Sequence, residues 1–391
     1  MASRNENLLA DWQGTTLEQT LEAARQLVED VSFPTVSRWR EMGRKVVGHF
    51  QVYFPEEIAD AAGMLPLKIR GAQLEAVRAE SRFGSYLCSI LKTSLELALS
   101  GRVELDMFVT HPICDAARNL AAVWGRNFAY PCQILYLPQN ANSSYAGQYL
   151  RDEYDRLKMD LEEIGGKPIT NEDLNRSIEV FNENRRLLRR LYALKREQPW
   201  LVSVEETYVL VALGGLITRR EHNEFLQRLL PMIEARGSRQ QDKIRVVFEG
   251  GFCEQPPLDL LRAISQTCYV VDDDLLIGLR WILEDVALGA DPLMSLANAY
   301  LENSSYSPVQ HDLRKPKEDM LLLRIREAKA EAAIIAAAKM CEPGLDEQVT
   351  YSKTLDEAGI PYFLSEFEEK MTSFDQMQTQ LETFAENILF F

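Results

Sequence analysis

The sequence predicts an α/β protein built as two doubly wound parallel-sheet lobes with a helical insertion between them. Three observations support this. Over residues 45–140 short apolar runs alternate with helix-patterned stretches, as in βαβ units. The same alternation returns from Lys243 onward. Between the two, residues 150–236 carry helical patterning, broken at 165–168 and 198–199. At 391 residues the chain exceeds one ordinary core. We therefore expect an N-terminal α/β lobe with leading helices over 1–150, a helical segment over 151–240 and a C-terminal α/β lobe over 241–391.

Each element has a local reason. Residues 17–31 place apolar side chains at helical spacing, and Pro34 stops the helix. KVVGHFQVY (45–53) alternates as a strand. In FPEEIADAAGMLPLKIRG (54–71), Pro55 suits a first helical turn and Glu56 and Glu57 favour its positive end. Gly63 ends that helix and residues 65–69 return to a strand. Ser85 reads as the N-cap of a long helix, which puts Cys88 at its third position, with Gly101 as C-cap. Residues 107–110 form a short buried strand that ends at His111-Pro112, and Cys114 and Asp115 open a helix. PCQILYLP (131–138) is a further strand. In the second half, strands are expected at 244–249, 268–271, 332–338 and 361–364, and helices at 257–265, 275–288, 320–329, 352–358 and 374–389. Residues 302–319 are polar and irregular, and no internal repeat is visible at the residue level.

Composition excludes several function classes. A net charge of −16 repels nucleic-acid phosphates and anionic membranes, so neither is expected as a partner. The first residues lack a signal-peptide core and no apolar run approaches a membrane span, which gives a cytoplasmic reading. In that setting the six cysteines are thiols rather than disulfides. There is no HExxH, P-loop, GxGxxG or GxSxG. Gly250-Gly251 is a tight turn or a phosphate cradle. Asp272, Asp273 and Asp274 cap a helix or hold a divalent ion. The basic cluster Arg185, Arg186, Arg189, Arg190, Lys195 and Arg196 forms ion pairs, or docks an acidic partner or coenzyme phosphates. The sequence leaves all three open.

The chemistry concentrates on cysteine. Cys114 and Cys341 each follow an apolar run, where ligands bind in open α/β sheets. Two thiols at two strand ends suggest one shared site, and Cys88, near a helix start, joins them. Thiolates select soft metals, iron–sulfur clusters above all. Three such ligands leave one iron of a cubane without a protein thiolate. Cys253 in GGFCEQPP is the runner-up ligand, whereas Cys132 and Cys268 fall at strand starts and read as core. His111 is the histidine beside the candidate site, either a proton donor or a packed, hydrogen-bonded ring.

FPEEIADAAGMLP (54–66), the Cys88 helix, HPICDAARNL (111–120), AKMCEPG (338–344) and LDEAGIPYFLSEFE (355–368) resemble the benzoyl-CoA reductase and 2-hydroxyacyl-CoA dehydratase family over nearly the whole chain. The resemblance implies two α/β lobes with an iron–sulfur cluster in the cleft, a [4Fe-4S] cubane held by Cys88, Cys114 and Cys341. It leaves open whether that cubane stands alone or joins a partner's as a double cubane. It implies a homologous cluster-bearing partner subunit, and two further activator subunits that hydrolyse ATP and deliver electrons from reduced ferredoxin. ATP would then be used by those partners, not by this chain. The implied reaction is two-electron dearomatisation of benzoyl-CoA to cyclohexa-1,5-diene-1-carbonyl-CoA. Two segments depart from the dehydratases: Leu276 in DDDLLIG (272–278) replaces a cysteine, and Gln380 in TQLETF (379–384) replaces an arginine. Both losses argue against a dehydratase and fit a specialised subunit. The alternatives are a 2-hydroxyacyl-CoA dehydratase subunit, a double-cubane cluster reductase, or an electron-transfer or scaffold subunit without its own substrate site.

Overall fold

Strands buried on both faces need apolar side chains at every position, and such strands form two parallel sheets here. The computed structural model describes residues 7–10, 14–50, 53–84, 86–250, 256–275, 284–304, 312–368 and 371–390. The N-terminal half begins with helices α1 (Leu17–Glu29) and α2 (Pro34–Glu41), then alternates β1 (Val46–Phe50), α3 (Glu56–Ala61), β2 (Leu65–Ile69), α4 (Ser89–Leu99), β3 (Met107–Thr110), α5 (Asp115–Asn127) and β4 (Cys132–Ile134). Helices α6 (Ala146–Gly165), α7 (Asn171–Glu197), α8 (Val204–Leu213) and α9 (Arg219–Glu234) follow. The C-terminal half runs β5 (Ile244–Glu249), α10 (Leu258–Thr267), β6 (Cys268–Asp273), α11 (Pro292–Asn303), α12 (Lys317–Glu327), β7 (Ala332–Ala338), α13 (Glu342–Ala358), β8 (Tyr362–Phe367) and α14 (Asp375–Phe390).

Both sheets are parallel and share one strand order. The first runs β2-β1-β3-β4 and the second β6-β5-β7-β8. In each the third strand in sequence is central: β3 pairs with β1 and β4, and β7 with β5 and β8. Alternate residues of β7 serve two cores. Ile334, Ala336 and Ala338 enter the large core, while Ala333 and Ile335 pack with Leu321 and Ile325 of α12 and Tyr351 and Leu355 of α13. Small alanines at the remaining positions let helices approach both faces. On the first sheet, Trp124 of α5 stacks on Phe108 of β3 at 3.8 Å between ring centroids, which fixes α5 against the strand that precedes it.

Four expectations are corrected. Helix α4 begins at Ser89 with Cys88 itself at the N-cap, so Cys88 is not the third helical position. The strand expected over 131–138 is confined to Cys132–Ile134, because this edge strand has only the short β3 to pair with. Of the helix expected at 275–288, residues 276–283 lie outside the described residues, while Leu275 and residues 284–288 are not helical. There the Asn182 side chain bonds both backbone groups of Val286, each at 2.8 Å, and holds the segment extended against α7. The helix expected at 352–358 starts ten residues earlier, at Glu342, with Pro343 in its first turn.

The basic cluster on α7 is used internally. Arg185 pairs with Glu57, Arg186 and Arg189 with Asp285, Arg190 with Glu234, Lys195 with Asp273 and Arg196 with Asp272. These cations pin α7 to α3 of the first half and to the end of β6 in the second. The aspartates at the end of β6 are thereby accounted for: Asp272 also pairs with Arg324, and Asp274 accepts a hydrogen bond from Gly250 N at 2.9 Å. Gly250 is a close-approach position, with φ of 114° and a Cβ site only 2.2 Å from the Ala336 carbonyl oxygen. A turn squeezed against β7 therefore explains it. Gly251 lies outside the described residues.

Candidate functional site at the carboxyl ends of the sheets

Three cysteines occupy the same kind of position. Cys88, Cys114 and Cys341 are the N-cap residues of α4, α5 and α13. At an N-cap the side chain faces unpaired backbone N–H groups and the positive end of the helix dipole, a setting that favours a thiolate. Cys114 uses it directly: its Sγ accepts a hydrogen bond from Ala117 N at 3.4 Å. The chain reaches Cys114 from β3 through His111, and reaches Cys341 from β7 through Met340, whose φ of 63° lies in the left-handed region. Cys341 N turns back to bond Ala338 O at 3.0 Å. Its Sγ lies over the first turn of α13, 3.5 Å from where a Cβ on Gly344 would stand.

Cys114 and Cys341 come from different sheets, yet they feel one another. Burial pushes the Cys114 thiol up, and Cys341 and Glu342 raise it further. Cys88 and Cys341 are buried and Cys114 is half-buried. Helix α4, which carries Cys88, packs against α5, which carries Cys114. Cys132 and Cys268 stand at the starts of β4 and β6, and burial raises both thiols to about 12. Cys253 lies outside the described residues, as do Leu276 and Gly278. Among the described residues, no group of three or more His, Cys, Asp or Glu side chains gathers as the shell of one metal ion.

His111 is fully buried. Burial lowers it to about 3, so the ring is neutral near pH 7. Its Nδ1 lies 3.2 Å from Leu135 O, which makes Nδ1–H the donor. Its Nε2 is buried without a hydrogen-bond partner among the described residues. Tyr53 meets the ring edge-on at 6.2 Å and is itself held at φ 61°.

Tyr53 also walls a cleft between the ends of β1 and β2 and helices α7, α8 and α9. Two ion pairs frame it: the buried pair of Glu57 with Arg185, and the half-buried Glu56 with Arg219 and His49. Burial alone would raise the Glu56 carboxyl, but Arg219 and His49 outweigh it and hold it at about 2. From the sequence, Glu56 and Glu57 had only a role at a helix start. Their burial depends on arginines more than a hundred residues away, and the only local hint was two consecutive acids directly after a strand.

This two-sheet α/β chain, with cysteines at helix N-caps just after β3 and β7, has the layout of an open α/β protein that binds its ligands outside the carboxyl ends of its strands. A family model described as "2-hydroxyglutaryl-CoA dehydratase, D-component" matches residues 51–388, and the chain belongs to that family. It is 35% identical to a subunit of the benzoyl-CoA reductase of Thauera aromatica over 370 residues, covering 93% of this chain and 96% of the relative. It is 28% identical to the beta subunit of lactoyl-CoA dehydratase of Anaerotignum propionicum, covering 88% and 92%. With the beta subunit of (R)-2-hydroxyglutaryl-CoA dehydratase of Acidaminococcus fermentans the identity is 26%, covering 90% and 95%. The chain is thus a reductase- or dehydratase-type subunit, and these relatives are named as subunits of larger enzymes. Among the described residues no helix is long and apolar enough to cross a membrane.

Proposed function

We propose that this chain is the iron–sulfur subunit of a cytoplasmic, ATP-dependent, ferredoxin-driven benzoyl-CoA reductase. The observation that carries the reading is the placement of Cys114 and Cys341 as N-cap residues just after β3 and β7, one in each sheet. Soft thiol donors, buried and backed by helix N-termini, fit an iron–sulfur cluster in donor chemistry. The thiolates of a four-iron cluster bind different irons, so they need not crowd around one ion. Cys88, Cys114 and Cys341 would hold it. When bound, such a cluster supplies single electrons at a potential set by charge, hydrogen bonding and burial.

The chain's own residues do the rest. The Ala117 N–H stabilises negative charge on Cys114 Sγ, and burial around Cys88 and Cys341 excludes water. His111 keeps its proton on Nδ1 against Leu135 O, so the donor role proposed for it requires a second proton at Nε2. A homologous cluster-bearing subunit, two ATP-hydrolysing activator subunits and reduced ferredoxin complete the enzyme, and ATP is consumed on those activators. The relatives named as dehydratase subunits favour a second reading, a subunit of a 2-hydroxyacyl-CoA dehydratase.

Iron and acid-labile sulfide are to be counted on anaerobically purified protein. Cys114→Ala and Cys341→Ala should each lose iron, while Cys132→Ala and Cys268→Ala keep it. Unchanged iron and sulfide in both of the first two variants would sink the cluster reading. ATP-driven reduction of benzoyl-CoA by the complex, with and without this chain, tests the reaction. Turnover of a 2-hydroxyacyl-CoA instead would favour the second reading.

A further inference from the structure

The cleft beside Tyr53 has a charge balance opposite to that of the chain. Its lining holds Lys68, Arg70, Arg185 and Arg219 against Glu56 and Glu57, an excess of two positive charges in a protein of net charge −16. Both carboxylates are already committed, Glu57 to Arg185 and Glu56 to Arg219. Arg70, just past the end of β2, is half-buried and makes no ion pair among the described residues. It lines both this cleft and the neighbouring groove, as does Tyr208, so the two side chains stand where one opens into the other. Apart from His49 and Asn184, the remaining walls are apolar or aromatic, with Tyr53, Phe54, Phe181 and Tyr208 among them. With its mouth open to solvent, the cleft encloses a volume of about 80 Å3.

Two backbone features show that the shape is built. Tyr53, three residues past β1, is held in the left-handed region, a conformation that persists only where the surroundings enforce it. At the opposite wall Gly215 O accepts Lys68 N at 3.0 Å, and a Cβ on Gly215 would stand 2.8 Å from Lys68 Cβ. Only glycine lets the end of α8 close on β2 there.

We propose that this cleft binds a small organic monocarboxylate with an apolar body, its carboxylate on the planar fork of Arg70 and its body against the aromatic walls. The inference does not depend on the cluster, because none of these residues is a proposed iron ligand.

Titration calorimetry on the full chain tests it, with benzoate as probe and benzamide, inorganic phosphate and coenzyme A thioesters as comparisons. Benzoate should bind saturably. The neutral amide should bind at least about 10-fold more weakly, as should benzoate to Arg70→Gln, because a charge-assisted contact is lost. Phosphate should not displace benzoate. Absent saturable binding, equal binding of benzamide, or displacement by phosphate at equal concentration would each overturn the proposal. A thioester that outcompetes the free acid would assign the cleft to the thioester and overturn it as well. The benzoate–benzamide comparison needs no variant, so the outcome stands even if Arg70→Gln fails to fold. Iron content measured on the same samples separates this result from the cluster reading.

Discussion

Lys195→Met should destabilise the chain by about 3 kcal/mol, and Asp273→Leu added to it should restore part of the loss. The two side chains are 0% and 1% exposed, so their charges have left water completely. Breaking such a pair costs roughly 3–5 kcal/mol because the remaining ion is buried without its counter-charge. The lower end applies because Asp273 keeps the Tyr192 hydroxyl at 2.7 Å and Leu275 N at 3.1 Å. Replacing both partners by apolar groups of similar size removes the stranded charge but leaves the Tyr192 hydroxyl and Leu275 N without their acceptor, so the recovery is partial. For a chain of this length unfolding as one unit, about 3 kcal/mol lowers the midpoint by about 4 °C. Urea and thermal unfolding followed by circular dichroism on the two singles and the double measure the coupling. A single-variant loss below about 1 kcal/mol, or a double that costs the sum of the singles, would refute the reasoning.

Three further outcomes follow from the geometry. Glu56 titrates near 4.5 when unfolded and at about 2 in the fold, so its contribution is fully present above pH 4.5 and is lost as pH falls toward 2. Glu56→Gln should therefore reduce the acid dependence of stability in that window by roughly 2–3 kcal/mol, and an unchanged slope between pH 5 and 3 would contradict it. Gly250→Ala forces a Cβ against the Ala336 carbonyl at positive φ and should cost roughly 2–4 kcal/mol, so an unfolding midpoint equal to wild type would show that the turn relaxes. Burial lowers His111 and His222 from 6.5 to about 3 each, so their stabilising share is present above pH 6.5 and falls as pH drops below it. With only four histidines in the chain, nuclear magnetic resonance of labelled imidazoles can follow each ring. Both should stay neutral at pH 5, and a protonated His222 there would be inconsistent with its Nδ1 accepting from Asn184.

The parallel sheets were legible because a strand covered on both faces reads as one unbroken apolar run, as AAIIAAA of β7 does. The positions of Cys114 and Cys341 were legible for the same reason, since the end of each run marks the end of a strand. The cap at Cys88 was not, because serine is the commoner N-cap and Ser85 drew the helix start three residues too early. The destinations of the charges were the least readable part. Arg185 meets Glu57 across 128 positions and Lys195 meets Asp273 across 78, and a one-dimensional pattern cannot separate a solvated helix face from a buried pairing of that span. Strain at Tyr53 and Met340 was also invisible, since neither residue type signals a left-handed backbone.

Helix α7 is gripped at Arg185 by one half of the molecule and at Lys195 by the other. Ten helical residues separate the grips, so pitch fixes both their spacing, about 15 Å, and their relative phase. One residue inserted between them would shift the second grip by about 1.5 Å and turn it through about 100°, carrying Lys195 off Asp273 or Arg185 off Glu57. The helix therefore works as a gauge rod between the two sheets. Changes in length that surface loops absorb freely would, within this stretch, shift one sheet's grip on the helix relative to the other's.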